Sequence, residues 1–287
     1  MHRVVILTLD DGCAAPRVPV LACRDALRAA GAEVDLVGAG SDAEIDAALA
    51  ADVPDALAPP AGARPIVAAA ADGQVRAVVR RLVRKHMPAP SERPAGLPDD
   101  RTLPDLPPFG LLPLDPTGPD LATRLGLPRD PAAVAAAVLG GQVRRFDLLR
   151  NDGGSLTLDG VLLGGSDGVG RAVPFRAAIN VDDAELSSGR EQLLAAVVAN
   201  AAGYSDFDGL PLLVDPRPTD GVLDVAVSLA VRRRRRVVVE VRRGRGRAVA
   251  VAPTADLPFL DDGVAGTLTR KRTWWMERGA WGVYVPE

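Results

Sequence analysis

Residues 66–85, IVAAAADGQVRAVVRRLVRK, begin as a strand, turn through Ala70-Ala71-Asp72-Gly73-Gln74 and continue as a helix. A strand–turn–helix of this kind offers backbone N–H groups to a polyanion, and glycine in the turn lets a phosphate come close. Here one glycine, Gly73, serves that purpose, and Asp72 is either part of a phosphate site or an ordinary helix N-cap. A second stretch with the same ambiguity is Thr117-Gly118, which either touches a nucleotide or opens a short helix over 119–126 with Pro119 at its first position. Arg232–Arg236, with Arg242, Arg243, Arg245 and Arg247, concentrates positive charge in a chain whose net charge is −3. Such a run is either a solvated strand and loop or a contact for an anionic membrane surface or phosphorylated partner. The overall charge gives no field toward nucleic acid. Two cysteines, Cys13 and Cys23, and two histidines, His2 and His86, exclude a disulfide framework and a zinc constellation.

The elements that must position these residues change character along the chain. RVVILTL (3–9), EVDLVGAG (33–40), PIVAAA (65–70) and FGLLPL (109–114) are β-branched or apolar runs, with helical patterns after the first three and at about 130–140. That alternation predicts a parallel sheet with helices on its faces. The stretch 87–108, MPAPSERPAGLPDDRTLPDLPP, has many prolines and no periodicity, as a lid, linker or insert would. After Gly140 short β runs separated by Gly, Asp and Pro turns predict an antiparallel sandwich or barrel. The expected division is an α/β domain over 1–139, containing the 87–108 loop, then a β-sandwich over 140–287 whose last strand returns to the first domain. With 47% apolar residues the chain has enough to bury two cores. It shows neither a leader pattern nor an apolar run long enough to span a bilayer, so a cytoplasmic protein, peripheral to a membrane at most, is expected.

In this order the motifs resemble those of the bacterial diacylglycerol kinases and related lipid kinases, which share the NAD kinase fold. The family's Gly-Gly-Asp-Gly-Thr turn is matched by Ala70–Gln74. Its Pro-Leu-Gly-Thr-Gly-Asn-Asp-Leu-Ala segment is matched by PLDPTGPDLATRLGLP (113–128), through Thr117, Gly118, Asp120, Leu121 and Ala122. VRRFDLL (143–149), VVANA, DPRPTDGVLDV (215–225), FLDDGVAG (259–266) and the closing GAWGVYVP follow in the family's sequence. The resemblance implies ATP-dependent phosphoryl transfer to a lipid hydroxyl in a cleft between the domains. Asp72, Gly73, Gln74, Thr117 and Gly118 would face the nucleotide. Asp220, with backbone carbonyls near Arg217 and Val222, would hold magnesium. A glutamate in an Asp-Gly-Glu turn would be the base.

The departures fall on those functional points. Two turn glycines are Ala70 and Ala71 and the threonine is Gln74, while Pro116 and Pro119 replace Gly and Asn. The alanines take away close approach, and the prolines take away backbone donors. Asp10 and Asp11 put negative charge where phosphates would come, and Val264 occupies the glutamate position. Valine cannot take a proton, which leaves Asp262 as the replacement base in an active kinase. The departures count against ATP and favour a pseudokinase-like protein of specialised metabolism, binding or transforming an apolar or hydroxylated small molecule or lipid in the cleft. An active lipid or small-molecule hydroxyl kinase is the alternative. Magnesium is the expected ion, and the partners considered are an anionic membrane surface through Arg232–Arg236 and a second copy in a homodimer, with no nucleic acid.

Overall fold

A computed structural model describes residues 2–9, 16–50, 63–115, 118–234 and 236–287. Asp10, Asp11, Cys13, Pro116 and Thr117 therefore lie outside the described residues. The chain divides into two units, Met1–Phe146 with Gly279–Glu287, and Asp147–Arg278.

The first unit is built on four parallel strands, β1 (Arg3–Leu9), β2 (Glu33–Ala39), β3 (Arg64–Ala69) and β4 (Gly110–Pro113), in the order β2-β1-β3-β4. Central β1 and β3 are covered on both faces, so they read as continuous apolar runs and not as alternating ones. Among the described residues three helices connect them, α1 (Val18–Ala29), α2 (Asp42–Ala50) and α3 (Asp72–His86), and two more follow β4, α4 (Leu121–Arg124) and α5 (Pro131–Gly140). α1 buries Val20, Cys23 and Leu27, and α3 buries Val75, Val78, Val79, Leu82 and Val83, the stripe that helical periodicity demands. Burial, reinforced by Asp130, pushes the Cys23 thiol up to about 12, so it is an inert packing residue.

The Pro-rich segment is packed down. Leu103 and Leu106 are fully buried, and the Arg93 guanidinium donates to the carbonyls of Leu97, Pro98 and Arg101. Leu106 N–H donates to Ala280 O at 2.8 Å. The C-terminal segment closes this unit: Trp281 is buried with ring centroids 5.8 Å from Phe109 and 5.5 Å from Phe146.

The second unit is antiparallel. Its strands are β5 (Val143–Asn151), β6 (Leu156–Thr157), β7 (Gly160–Leu163), β8 (Gly165–Ser166), β9 (Ala172–Val173), β10 (Ala177–Val181), β11 (Ala184–Ser188) and β12 (Leu193–Ala199). They continue with β13 (Asp206–Phe207), β14 (Leu210–Pro211), β15 (Leu223–Arg233), β16 (Arg236–Gly246), β17 (Ala248–Pro253), β18 (Leu257–Asp261), β19 (Val264–Leu268) and β20 (Arg272–Tyr284). Two six-stranded sheets result, β11-β10-β17-β20-β5-β6 and β16-β15-β12-β7-β18-β19. Ile179, Val249 and Trp274 from one and Val161, Val198 and Val225 from the other share a core, which makes the unit a sandwich. The parallel α/β half followed by a β-sandwich is the expected fold class. Among the described residues no helix is long and apolar enough to cross a membrane.

Trp281→Ala would empty the space between Phe109 and Phe146. Its expected cost is about 3–5 kcal/mol of stability in urea unfolding; a loss under about 1 kcal/mol would mean that the ring does not hold this core.

Candidate functional site

At the carboxyl end of β3 the backbone reaches Ala71, which is extended and serves as the α3 N-cap without a side-chain hydrogen bond. Asp72 is thus the first helical residue and not the cap, a correction to the capping reading. The Asp72 carboxylate instead crosses to the second loop. Its Oδ1 accepts Leu121 N–H at 2.8 Å, and its Oδ2 pairs with the Arg124 guanidinium. Gln74, three residues past the cap, reaches back so that its Oε1 accepts Ala70 N–H at 2.7 Å. The Ala70 amide of the turn is therefore engaged by the chain itself.

The second loop is closed in the same way. Asp120 caps α4 by accepting Thr123 N–H at 2.9 Å and Thr123 Oγ1–H at 3.0 Å, and it also pairs with Arg129. Arg129 donates further to Gly118 O at 3.1 Å and to Asp115 O. The helix is shorter than the 119–126 expected, because Asp120 caps at its own position and the chain leaves the helix at Leu125. Between the two loops, lined by Ala70, Ala71, Asp72, Leu111, Asp120 and Leu121, the cavity is about 10 Å³. That is room for about one water molecule. Of the residues nominated for a nucleotide, Asp72 is engaged with Leu121 and Arg124, Gln74 with Ala70, and Gly118 with Arg129; Gly73 lies in the first turn of α3.

In the second unit, β18 and β19 form a hairpin whose turn is Asp262-Gly263, with φ of +48° and +79°. Asp262 is 1% exposed, and its carboxylate accepts N–H bonds from Leu158 at 2.7 Å, Asp159 at 2.9 Å and Gly160 at 3.2 Å. The neighbouring Asp261 accepts Thr157 Oγ1–H at 2.8 Å, and Asp159 accepts Gly203 N–H at 2.9 Å. A Cβ at Gly203 would fall 1.7 Å from Asp159 Oδ2, so this approach requires glycine. Tyr204 Oη accepts Gly263 N–H at 2.9 Å, and burial pushes its phenol up to about 12. Val264, which the resemblance set at a glutamate position, is 46% exposed. Asp262 makes no ion pair among the described residues. Burial, and then the charge of Asp261, raise its pKa against the pull of the Leu158 and Asp159 amides. The arrangement pins two turns together and can hold a proton.

The magnesium candidate sits at the β15 entrance. Asp220 Oδ1 accepts Val222 N–H at 3.2 Å, and Oδ2 pairs with the Arg245 guanidinium. Arg245 Nε also donates to Asp224 Oδ1 at 2.9 Å, while the Arg217 side chain pairs with Asp215. Asp147 Oδ2 fixes the same turn by accepting Gly221 N–H at 2.7 Å. Burial raises the Asp224 pKa, and Arg245 opposes it. With both Asp220 oxygens engaged, one by a fixed-charge guanidinium, this donor set does not fit a divalent ion that needs several oxygen ligands. From the sequence Arg245 is read only as part of the basic cluster, and its strand position gives no sign of a partner 25 residues away.

Residues 12–151 match the diacylglycerol kinase catalytic domain family. No curated protein matches the chain. A crystal structure of a diacylglycerol kinase from Bacillus anthracis str. Sterne aligns over 99% of this chain and 97% of its own, with 13% identity and a TM-score of 0.67. Another structure from that organism, assigned to the same class, aligns over the same shares with 14% identity and a TM-score of 0.66. At these identities the likeness is one of fold. The first half of the chain is thus similar to the diacylglycerol kinase catalytic domain, and the whole chain shares the fold of these structures.

Two outcomes test this geometry. A folded-state pKa above the unfolded one contributes stability at acid pH that is lost as the pH rises through the raised value. Unfolding free energy measured between about pH 5 and about pH 8 should therefore fall toward the alkaline side, and Asp262→Asn should flatten that slope; an unchanged slope would mean that Asp262 does not titrate there. Magnesium should leave the melting temperature of the wild type unchanged, whereas Arg245→Gln should lower it; stabilisation of the wild type by millimolar magnesium would contradict the guanidinium assignment.

Proposed function

We propose that this chain keeps the lipid-kinase fold but not efficient ATP phosphotransfer, and binds or transforms an apolar or hydroxylated small molecule. The observation that carries the reading is the Asp72 bridge. One carboxylate ties the two loops that would cradle a nucleotide, and Arg124 and Arg129 neutralise the loops' own acids. Phosphate binding would need free amides and uncommitted cations at this place. Ala70 N–H, Leu121 N–H, Arg124 and Arg129 are spoken for, and about 10 Å³ separates the loops.

The base is affected in the same direction. A general base must come within hydrogen-bond reach of the proton it takes. Asp262 accepts three backbone amides and is nearly inaccessible, and exposed Val264 offers no oxygen. Losing a base costs on the order of 10²–10⁴-fold in rate.

Calorimetric titration with magnesium-ATP tests the reading. No saturable heat is expected up to millimolar nucleotide. Saturable binding, with transfer of the γ-phosphoryl group to a diacylglycerol or another hydroxyl compound, would overturn it. A hydroxylated apolar ligand present at 100 times its dissociation constant should instead add about 2.7 kcal/mol of stability, which a thermal-shift screen detects readily.

A further inference from the structure

The sandwich ends on one side in a projecting ribbon. β12 pairs with β15 only as far as Leu193↔Leu229, while β15 and β16 stay paired through Ala230↔Val239, Val231↔Val238, Arg232↔Val237 and Arg233↔Arg236. Ala230 N–H still donates to Gln192 O at 3.2 Å and Val231 packs against the sandwich core, so what stands clear is the two-stranded tip from Arg232 to Val237. This tip carries the run Arg232–Arg236, of which Arg235 lies outside the described residues. Arg233 pairs with Glu240, but Arg232, Arg234 and Arg236 make no side-chain hydrogen bond or ion pair among the described residues. Beside them Val237 and Val239 are 69% and 47% exposed, and Val238 is also exposed.

Valines on a fully solvated ribbon tip are costly, and three uncommitted guanidinium groups add self-repulsion. Both costs are relieved at once by a surface that is anionic outside and apolar a few ångströms within. We propose that the β15–β16 ribbon tip docks on the headgroup region of an anionic bilayer, with arginines against lipid phosphates and Val237 and Val239 dipping below them. Unpaired backbone groups on the outer edge of β16 keep the insertion shallow. A second copy fits less well, because β16 carries four arginines against one glutamate and edge pairing would set like charges opposite each other. Nucleic acid would meet the arginines but leave the valines in water.

Co-sedimentation with phosphatidylcholine vesicles, with and without phosphatidylglycerol, tests the proposal. The wild type should pellet only with the anionic vesicles and be released by high salt. R232Q/R234Q/R236Q should lower the partition coefficient on the order of 100-fold. V237S/V239S should lower it about tenfold while keeping the salt dependence. All three proteins should melt at the same temperature in buffer, since the substituted side chains are exposed and lie outside the core. Failure of the wild type to pellet, or an arginine variant that binds like it, would overturn the proposal. Tight binding to duplex RNA that ignores the valine changes would replace the bilayer with nucleic acid. A wild-type dimer in sedimentation velocity that V237S/V239S splits would replace it with a second copy.

Discussion

A carboxylate at the start of a helix can serve an incoming ligand or the chain's own donors, but not both at full strength. Asp72 serves the chain. By accepting Leu121 N–H and pairing with Arg124 it closes the loop after β3 onto the loop after β4, at the carboxyl ends of a parallel sheet. This is where open α/β sheets carry their ligands. Part-buried hydrogen bonds to charged groups are among the stronger ones available to a protein, at about 1.5–3 kcal/mol each. A ligand that used the Leu121 amide or the Arg124 guanidinium would have to displace them.

The same self-satisfaction recurs in the second unit. Arg245 stands between Asp220 and Asp224 as a permanent cation, and Asp262 takes three amides from the turn at Leu158–Gly160. Each is a position where the lipid-kinase resemblance implied an exchangeable ligand or a proton in transit, and at each a protein group is engaged instead. The acids of these motifs fasten neighbouring turns to one another. The architecture is shared over 99% of the chain with a structure of 13% identity.

Much of the architecture was legible because it rests on local pattern. The β-branched runs of β1 and β3, the buried stripe of α3 and the Asp130 cap of α5 are short-range signals. Short strands such as β11, β13 and β14 were not, since two to five polar or mixed residues carry little periodicity. The 87–108 segment read as open loop because its order depends on Leu103, Leu106 and Arg93 finding distant partners. In the site, the residue types stood out, but what they touch did not. Asp72 meets Arg124 across 52 residues and Asp220 meets Arg245 across 25, and no spacing rule links such pairs.

The central claim is that the chain itself occupies the groups a phosphate would need. Amide hydrogen exchange at Ala70 and Leu121, in the absence and presence of magnesium-ATP, reads it directly. The account predicts that both amides are protected in the free protein and that nucleotide leaves them unchanged. Fast exchange in the free protein that slows when ATP is added would show an open cradle, and would contradict it.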